Sequence, residues 1–199
     1  MFTTPAIDAL QLASRLGRAG SFARSRTRVR GLPEFGGELP TASLAEEIET
    51  EGEDRIRALV TAAGNPVLSA PNGRRLEAAL GKLDLMVAID PYLNETTRQA
   101  HYVLPPVTPL ERDHYDLVFH ALAVRNTAKF SPAVLEPPPD ARQDWQIFHE
   151  LTHRLERKGG HPLQAALRRW GLGLGPRRLL DLGLRLGPHG LSLEKLRRR

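Results

Sequence analysis

The sharpest short pattern in the chain is His149-Glu150-Leu151-Thr152-His153, two histidines four residues apart with a glutamate after the first. On a helix the two imidazoles share a face and can bind zinc, and the glutamate is placed to activate a water, which is the chemistry of a zinc-dependent hydrolase. Such a centre needs a third ligand. His161 falls beyond the spacing of the extended three-histidine pattern, and Glu156 and Glu194 have no supporting context. With seven His and fourteen Glu in 199 residues, composition alone yields the pattern in about 2% of such chains. An ordinary helix carrying two exposed histidines explains it more simply.

A second group of residues closes two apolar runs. Gly64-Asn65-Pro66 follows Ile56 to Ala62, and Asp90 follows Leu85 to Ile89. A glycine at a strand end lets a phosphate approach the backbone, and the next N–H groups can hold its charge. A strand-end carboxylate can accept from a ribose hydroxyl or a guanine edge. A simple tight turn and a solvated cap are the plain alternative. No GxxxxGK[ST] loop or GxSxG elbow occurs, and no serine or histidine has an oriented base, so no catalytic residue and no metal ligand is assigned. Glu111, Asp113, His114 and Asp116 around Tyr115 read as a charged connecting loop.

The elements that must position these residues are legible from periodicity. Residues 1–40 form a lead-in segment punctuated by Gly and Pro, with helical spacing only from Ile7 to Leu16. Ser43 followed by Glu46 predicts a capping box and a short helix ending at Gly52. Ile56–Ala62 reads as a buried strand, Arg74–Leu83 as a helix with Leu76, Ala79, Leu80 and Leu83 on one stripe, and Leu85–Ile89 as a second strand. Glu95–Gln99 reads as a short helix and Tyr102–Leu104 as a third strand stopped by Pro105-Pro106. This alternation predicts an α/β fold: an open, mostly parallel sheet with flanking helices, Rossmann-like. Because parallel crossovers are right-handed, the ends of the first two strands lie at one edge, where such sheets bind ligands. Further on, Leu117–Arg125 reads as a strand and Asp144–Arg157 as a helix. Leu163–Trp170 and Arg177–Leu186 read as amphipathic pieces either side of a Gly171–Gly175 linker, which is not a GxGxxG fingerprint. The expected segments are therefore 1–40, an α/β domain over 41–158, and a basic helical C-terminal extension over 159–199.

Composition narrows the classes. There is no cysteine, which excludes thiolate zinc sites, iron–sulfur clusters and cysteine nucleophiles within these residues. Arg outnumbers Lys 24 to 4, and the net charge of +5 hides basic ends of +5 (1–30) and +9 (151–199) around an acidic middle of −9. The arginines sit in the tails without interleaved aromatic residues, so no specific nucleic acid partner is expected. No apolar run approaches the roughly 20 residues of a membrane span, and Met1 to Gly20 lacks a secretory pattern. A cytoplasmic location is the expectation.

Between Val60 and Pro105 several motifs occur in order. They are Val60-Thr-Ala-Ala-Gly64-Asn65-Pro66, Pro71-Asn72, Leu83-Asp84, Ile89-Asp90-Pro-Tyr-Leu-Asn-Glu95-Thr96 and Ala100-His-Tyr-Val-Leu104-Pro105. Together they resemble the molybdopterin oxidoreductases of the dimethyl sulfoxide reductase type, which include formate dehydrogenase and nitrate reductase catalytic subunits. The resemblance extends through Arg30-Gly31-Leu-Pro-Glu-Phe-Gly-Gly37 and on to Trp145, covering most of 28–155. It implies an α/β domain that clasps one molybdopterin guanine dinucleotide. Gly64, Asn65 and Pro66 match the turn that approaches the dinucleotide, Asp90 the strand-end acid near its guanosine, and Glu95 and Thr96 the start of the following helix. Asn94 stands where the family usually has threonine, His101 where it has aspartate, and Arg112–Asp116 replaces a Gly- and Thr-rich loop.

The family's chains are much longer, with a cysteine-ligated cluster in many, a segment that supplies the molybdenum ligand, and a C-terminal barrel. The resemblance thus implies a fragment of a molybdenum-dependent oxidoreductase that contributes one dinucleotide-binding domain, with the molybdenum ligand outside this chain. Its partners would be the remaining domains of the parent enzyme or a complementing chain, and alone it would be inactive. The two alternatives are the zinc hydrolase and a non-catalytic nucleotide-binding or interaction module.

Overall fold

The computed structural model describes residues 4–8, 21–159 and 173–197. The expected Leu163–Trp170 piece and most of the Ile7–Leu16 stretch lie outside them. The chain divides into two compact units, Ser14–Pro106 on the one hand and Met1–Ala13 with Val107–Arg199 on the other.

The unit Ser14–Pro106 opens with an antiparallel pair, β1 (Phe22–Arg26) and β2 (Pro33–Phe35). Glu34 is buried there and accepts hydrogen bonds from Ser21 Oγ and from the backbone N–H groups of Arg24 and Gly37. A short helix, α1 (Leu44–Glu49), follows. The capping box expected at its start does not form. Ser43 Oγ donates to the Pro40 carbonyl at 2.7 Å, and the Glu46 carboxylate is drawn off by the Arg30 guanidinium. A charged partner outcompetes a backbone N–H for a glutamate that can reach both.

The parallel sheet then builds as read from periodicity. β3 (Ala58–Ala62) leads through a single helical turn, α2 (Pro66–Ser69), to α3 (Gly73–Leu80), β4 (Leu85–Ile89) and β5 (Tyr102–Val103), with strand order β3-β4-β5. β3 and β4 are parallel with Ala58 opposite Leu85 and Ala62 opposite Ile89, and β4 and β5 are parallel with Val87 opposite Tyr102. The result is a mixed α/β fold with a parallel sheet. Ile48 of α1, Leu76, Ala79 and Leu80 of α3, and Leu83 and Met86 form the core beneath it, joined by Leu59. β3 is not the fully buried strand the apolar run predicts. It is a sheet edge, and Val60 on its outer face is 53% exposed. The central strand β4 carries the burial instead, with Met86, Ala88 and Ile89 all buried.

The unit that includes Val107–Arg199 has a separate core of Ala6, Phe130, Leu184 and Leu193. Its elements are the antiparallel pair β6 (His114–Tyr115) and β7 (Phe130–Ser131), then α4 (Asp144–Gly159), α5 (Gly175–Leu186) and α6 (Leu193–Arg197). The apolar run Leu117–Arg125 is not a strand. Asp116 Oδ1 accepts the Phe119 N–H at 3.0 Å and starts a single 3-10 turn over Phe119–Leu122, whose apolar side chains face outward. A capping box does occur in this unit, at Thr108–Glu111, which opens another 3-10 turn.

Candidate functional site at the sheet's carboxyl edge

Parallel pairing brings the ends of β3 and β4 to one edge, and the Ala63 N–H donates to the Ile89 carbonyl at 3.0 Å just past the last ladder pair. Ala63 holds a left-handed φ of 49°, so the chain turns sharply as β3 ends. Beyond it the N–H groups of Gly64 and Asn65 have no acceptor among the described residues. A Cβ placed on Gly64 would meet only the Ala62 carbonyl, at 3.7 Å, so this backbone is open to a neighbour. Two successive unpaired N–H groups on an open turn are donors that an anion could take up.

Asp90 stands beside this turn at the end of β4. It is 6% exposed, yet only Oδ1 is engaged, by the Tyr92 N–H at 2.8 Å. Oδ2 has no donor among the described residues. Oδ2 is therefore the part of this largely buried side chain left open to accept from an incoming N–H or O–H group. The edge therefore offers donors for negative charge and, beside them, an acceptor for N–H or O–H groups.

The remaining residues expected at this edge hold the turn. Asn65 Nδ2 donates to Glu95 Oε2 at 2.7 Å, Thr96 Oγ1 donates to Asn65 Oδ1 at 2.7 Å, and the Val67 N–H donates to the same Thr96 hydroxyl at 3.1 Å. Thr96 is fully buried. The Asn65 amide, aided by Glu95's own backbone N–H, holds the Glu95 carboxyl below its usual range against the opposing effect of burial. Pro66 sits at the first position of α2, where a missing N–H costs nothing. Gly64, Asn65, Pro66, Asp90, Glu95 and Thr96 thus share one edge, and Asn65, Glu95 and Thr96 form a clamp across it.

Two further residues, Asn94 and Thr97, are given no role by the motifs yet shape this edge. Asn94 Oδ1 accepts from the N–H groups of Thr96 and Thr97, at 3.0 and 2.9 Å. Thr97 Oγ1 donates to the Tyr92 carbonyl at 2.9 Å and accepts the Asn94 N–H at 2.8 Å. Asparagine three residues before a short helical turn is the signal for such an Asx turn. His101, the other departure, uses Nδ1 to accept the Met86 N–H at 2.9 Å.

The histidine pair lies elsewhere, on α4. Glu150 is held by Arg154 at 2.7 Å, which keeps its carboxyl below the usual range, and His149 Nδ1 is buried without a partner among the described residues. Among the described residues no three His, Cys, Asp or Glu side chains come together to hold a metal ion, and His161 lies outside them. No helix among the described residues is long and apolar enough to cross a membrane.

The chain is similar to several curated oxidoreductases. A probable oxidoreductase of Bacillus subtilis, YyaE, is 28% identical over 137 residues, covering 68% of this chain and 20% of that protein. The alpha subunit of an NADPH-Fe(3+) oxidoreductase from Geobacter sulfurreducens is 34% identical over 124 residues, 61% of this chain and 14% of that one. The assimilatory nitrate reductase catalytic subunit of Bacillus subtilis is 30% identical over 120 residues, 59% and 16% respectively. The chain spans about a fifth or less of the length of these curated relatives. The family model for molybdopterin oxidoreductase matches residues 10–154, which takes in the parallel sheet, its carboxyl edge and most of α4. On that match, over most of its length, the chain belongs to the molybdopterin oxidoreductase family.

Proposed function

We propose that this chain contributes one cofactor-binding domain to a molybdenum-dependent oxidoreductase, and that its ligand is the guanine dinucleotide form of molybdopterin. The observation that carries this reading is the pairing, at one sheet edge, of two unspent backbone N–H groups at Gly64 and Asn65 with the unspent oxygen of buried Asp90. The first suits a diphosphate and the second suits a guanine edge or a ribose hydroxyl. The residues present therefore fit a nucleotide-bearing cofactor. Gly64, Asn65 and Asp90 would touch it. Pro66, Glu95 and Thr96 would act through the turn they fix.

When bound, the cofactor's molybdenum supplies two-electron chemistry, and the protein's part is to place and orient it. In this chain that means holding the nucleotide end, since no residue here is assigned to the reacting metal. The segment put forward as functional is 41–158, of which the Rossmann-like sheet up to Pro106 would meet the ligand; the part from Val107 on closes a core with helices of the basic stretch 159–199. Its partners would be the parent enzyme's remaining domains or a complementing chain, in the cytoplasm.

Guanosine diphosphate reproduces the nucleotide half of the ligand. Calorimetric titration of the full chain should show saturable binding of guanosine diphosphate and markedly weaker binding of adenosine diphosphate. Asp90→Asn should weaken guanosine diphosphate by about tenfold or more, the worth of a hydrogen bond to a charged group. Equal binding of the two nucleotides, or an unchanged affinity in Asp90→Asn, would overturn the assignment.

A further inference from the structure

The unit that includes Val107–Arg199 contains a cleft of about 780 Å³ with no part in the cofactor edge. Its size is that of small-molecule sites, which combine apolar walls with a few placed polar groups. Three rings shape it. Tyr115 and Phe130 are paired across the β6–β7 ladder, and Trp145 comes from the first turn of α4. Leu180 of α5 lies among the other apolar residues of its wall.

The rings are held in place. Trp145 donates its indole N–H to Gln143 Oε1 at 2.8 Å. Its ring edge lies 3.7 Å from where a Cβ on Gly175 would stand, and Gly175 has a φ of 72°, so glycine is required at this contact for its backbone and leaves the ring uncrowded. Phe130 is covered on one side by the Arg177 guanidinium, 5.7 Å from the ring centroid.

Charge at the rim is balanced. Arg112 pairs with Asp144, and Arg177 Nη1 lies 3.5 Å from Asp113 Oδ2. With both cations matched, an ion has no unmet counter-charge to seek. The free hydrogen-bonding capacity on the wall is the Tyr115 hydroxyl, which has no hydrogen-bond partner among the described residues. Burial pushes the Tyr115 phenol above its ordinary range, so the hydroxyl keeps its proton and can donate it.

We propose that this cleft binds an uncharged planar ring compound bearing a hydroxyl or carbonyl group, its ring among Tyr115, Phe130 and Trp145 and its oxygen at the Tyr115 hydroxyl. Three probes separate the contributions: 2-naphthol, its saturated counterpart decahydro-2-naphthol, and the anion 2-naphthoate. Each is titrated into the full 15N-labelled chain while the Trp145 indole N–H resonance is followed, assigned by comparison with Trp170→Phe. The expected result is a saturable shift of Trp145 with 2-naphthol, binding at least about tenfold weaker for the saturated ring, and no gain for the anion. Tyr115→Phe, which keeps the ring, should weaken 2-naphthol about three- to tenfold. Absence of a Trp145 shift at the solubility limit of 2-naphthol, equal binding of the planar and saturated rings, or tighter binding of 2-naphthoate would each overturn the proposal. Should Tyr115→Phe unfold, the comparison of the three probes on the unaltered chain decides it alone.

Discussion

Thr96 joins the two halves of the candidate edge with one hydroxyl, which donates to Asn65 and accepts from Val67 while fully buried. Thr96→Val keeps the shape and removes both bonds, leaving a buried N–H and an amide oxygen unpaired. The expected loss is about 1–3 kcal/mol in urea unfolding, with guanosine diphosphate affinity falling as the turn loosens. Glu95 contributes differently, because the Asn65 amide lowers its carboxyl pKa in the folded chain. A folded pKa below the unfolded one stabilises above the unfolded value and loses that contribution as pH falls through the folded value. The stability advantage of the native chain over Glu95→Gln should therefore be present at pH 7 and vanish below the ordinary carboxylate range, as followed by urea unfolding across pH. Asp90 shows why roles are harder to read than positions. A strand-end acid is visible in the sequence, but that one of its oxygens is unspent depends on where the Tyr92 N–H lies.

The turn that carries Gly64 is seated on α2 and α3, and these two pack with no slack. A Cβ on Gly73 would stand 1.9 Å from the Val67 carbonyl oxygen, so Gly73→Ala must push the two helices apart, at an expected cost of about 1–3 kcal/mol in thermal or urea unfolding. Leu80→Ala, which empties a fully buried position under the sheet, should cost about 2–5 kcal/mol by the same measurement. Elements with strong periodicity were legible: the α3 stripe, β4, β5 and α4 all stand where spacing puts them. Leu117–Arg125 was not, because an apolar run has no conformation of its own. Asp116 captures the Phe119 N–H and turns the chain before a strand partner is met. Ser43 and Glu46 have the spacing of a capping box, but Arg30, distant in sequence, takes the glutamate. The candidate edge was legible because it needs only parallel strands and the residues that follow them. The cleft beside Tyr115 was not, since its walls come from β6, β7, α4 and α5, and the same charged residues read as a solvated loop.

Across the molecule, each unit closes its own core. The family match covers residues 10–154, whereas the relatives are five or more times longer than the aligned segment. In the reading proposed above, the molybdenum ligand and the second half of the cofactor grip lie outside this chain. Purified alone, it should support no viologen-linked reduction of nitrate or other oxyanions, and co-production with the parent enzyme's remaining domains should restore cofactor retention, measured as molybdenum content. The absence of cysteine fits this division, since no cluster or thiolate ligand can be built from these residues. The central claim is that the carboxyl edge of β3 and β4 receives a guanine nucleotide, and backbone amide shifts of the 15N-labelled full chain on adding guanosine diphosphate test it most directly. Saturable shifts are expected at the Gly64 and Asn65 amides and beside Asp90, abolished by Asp90→Asn. Shifts confined to other segments, or none at these amides under saturating nucleotide, would contradict it.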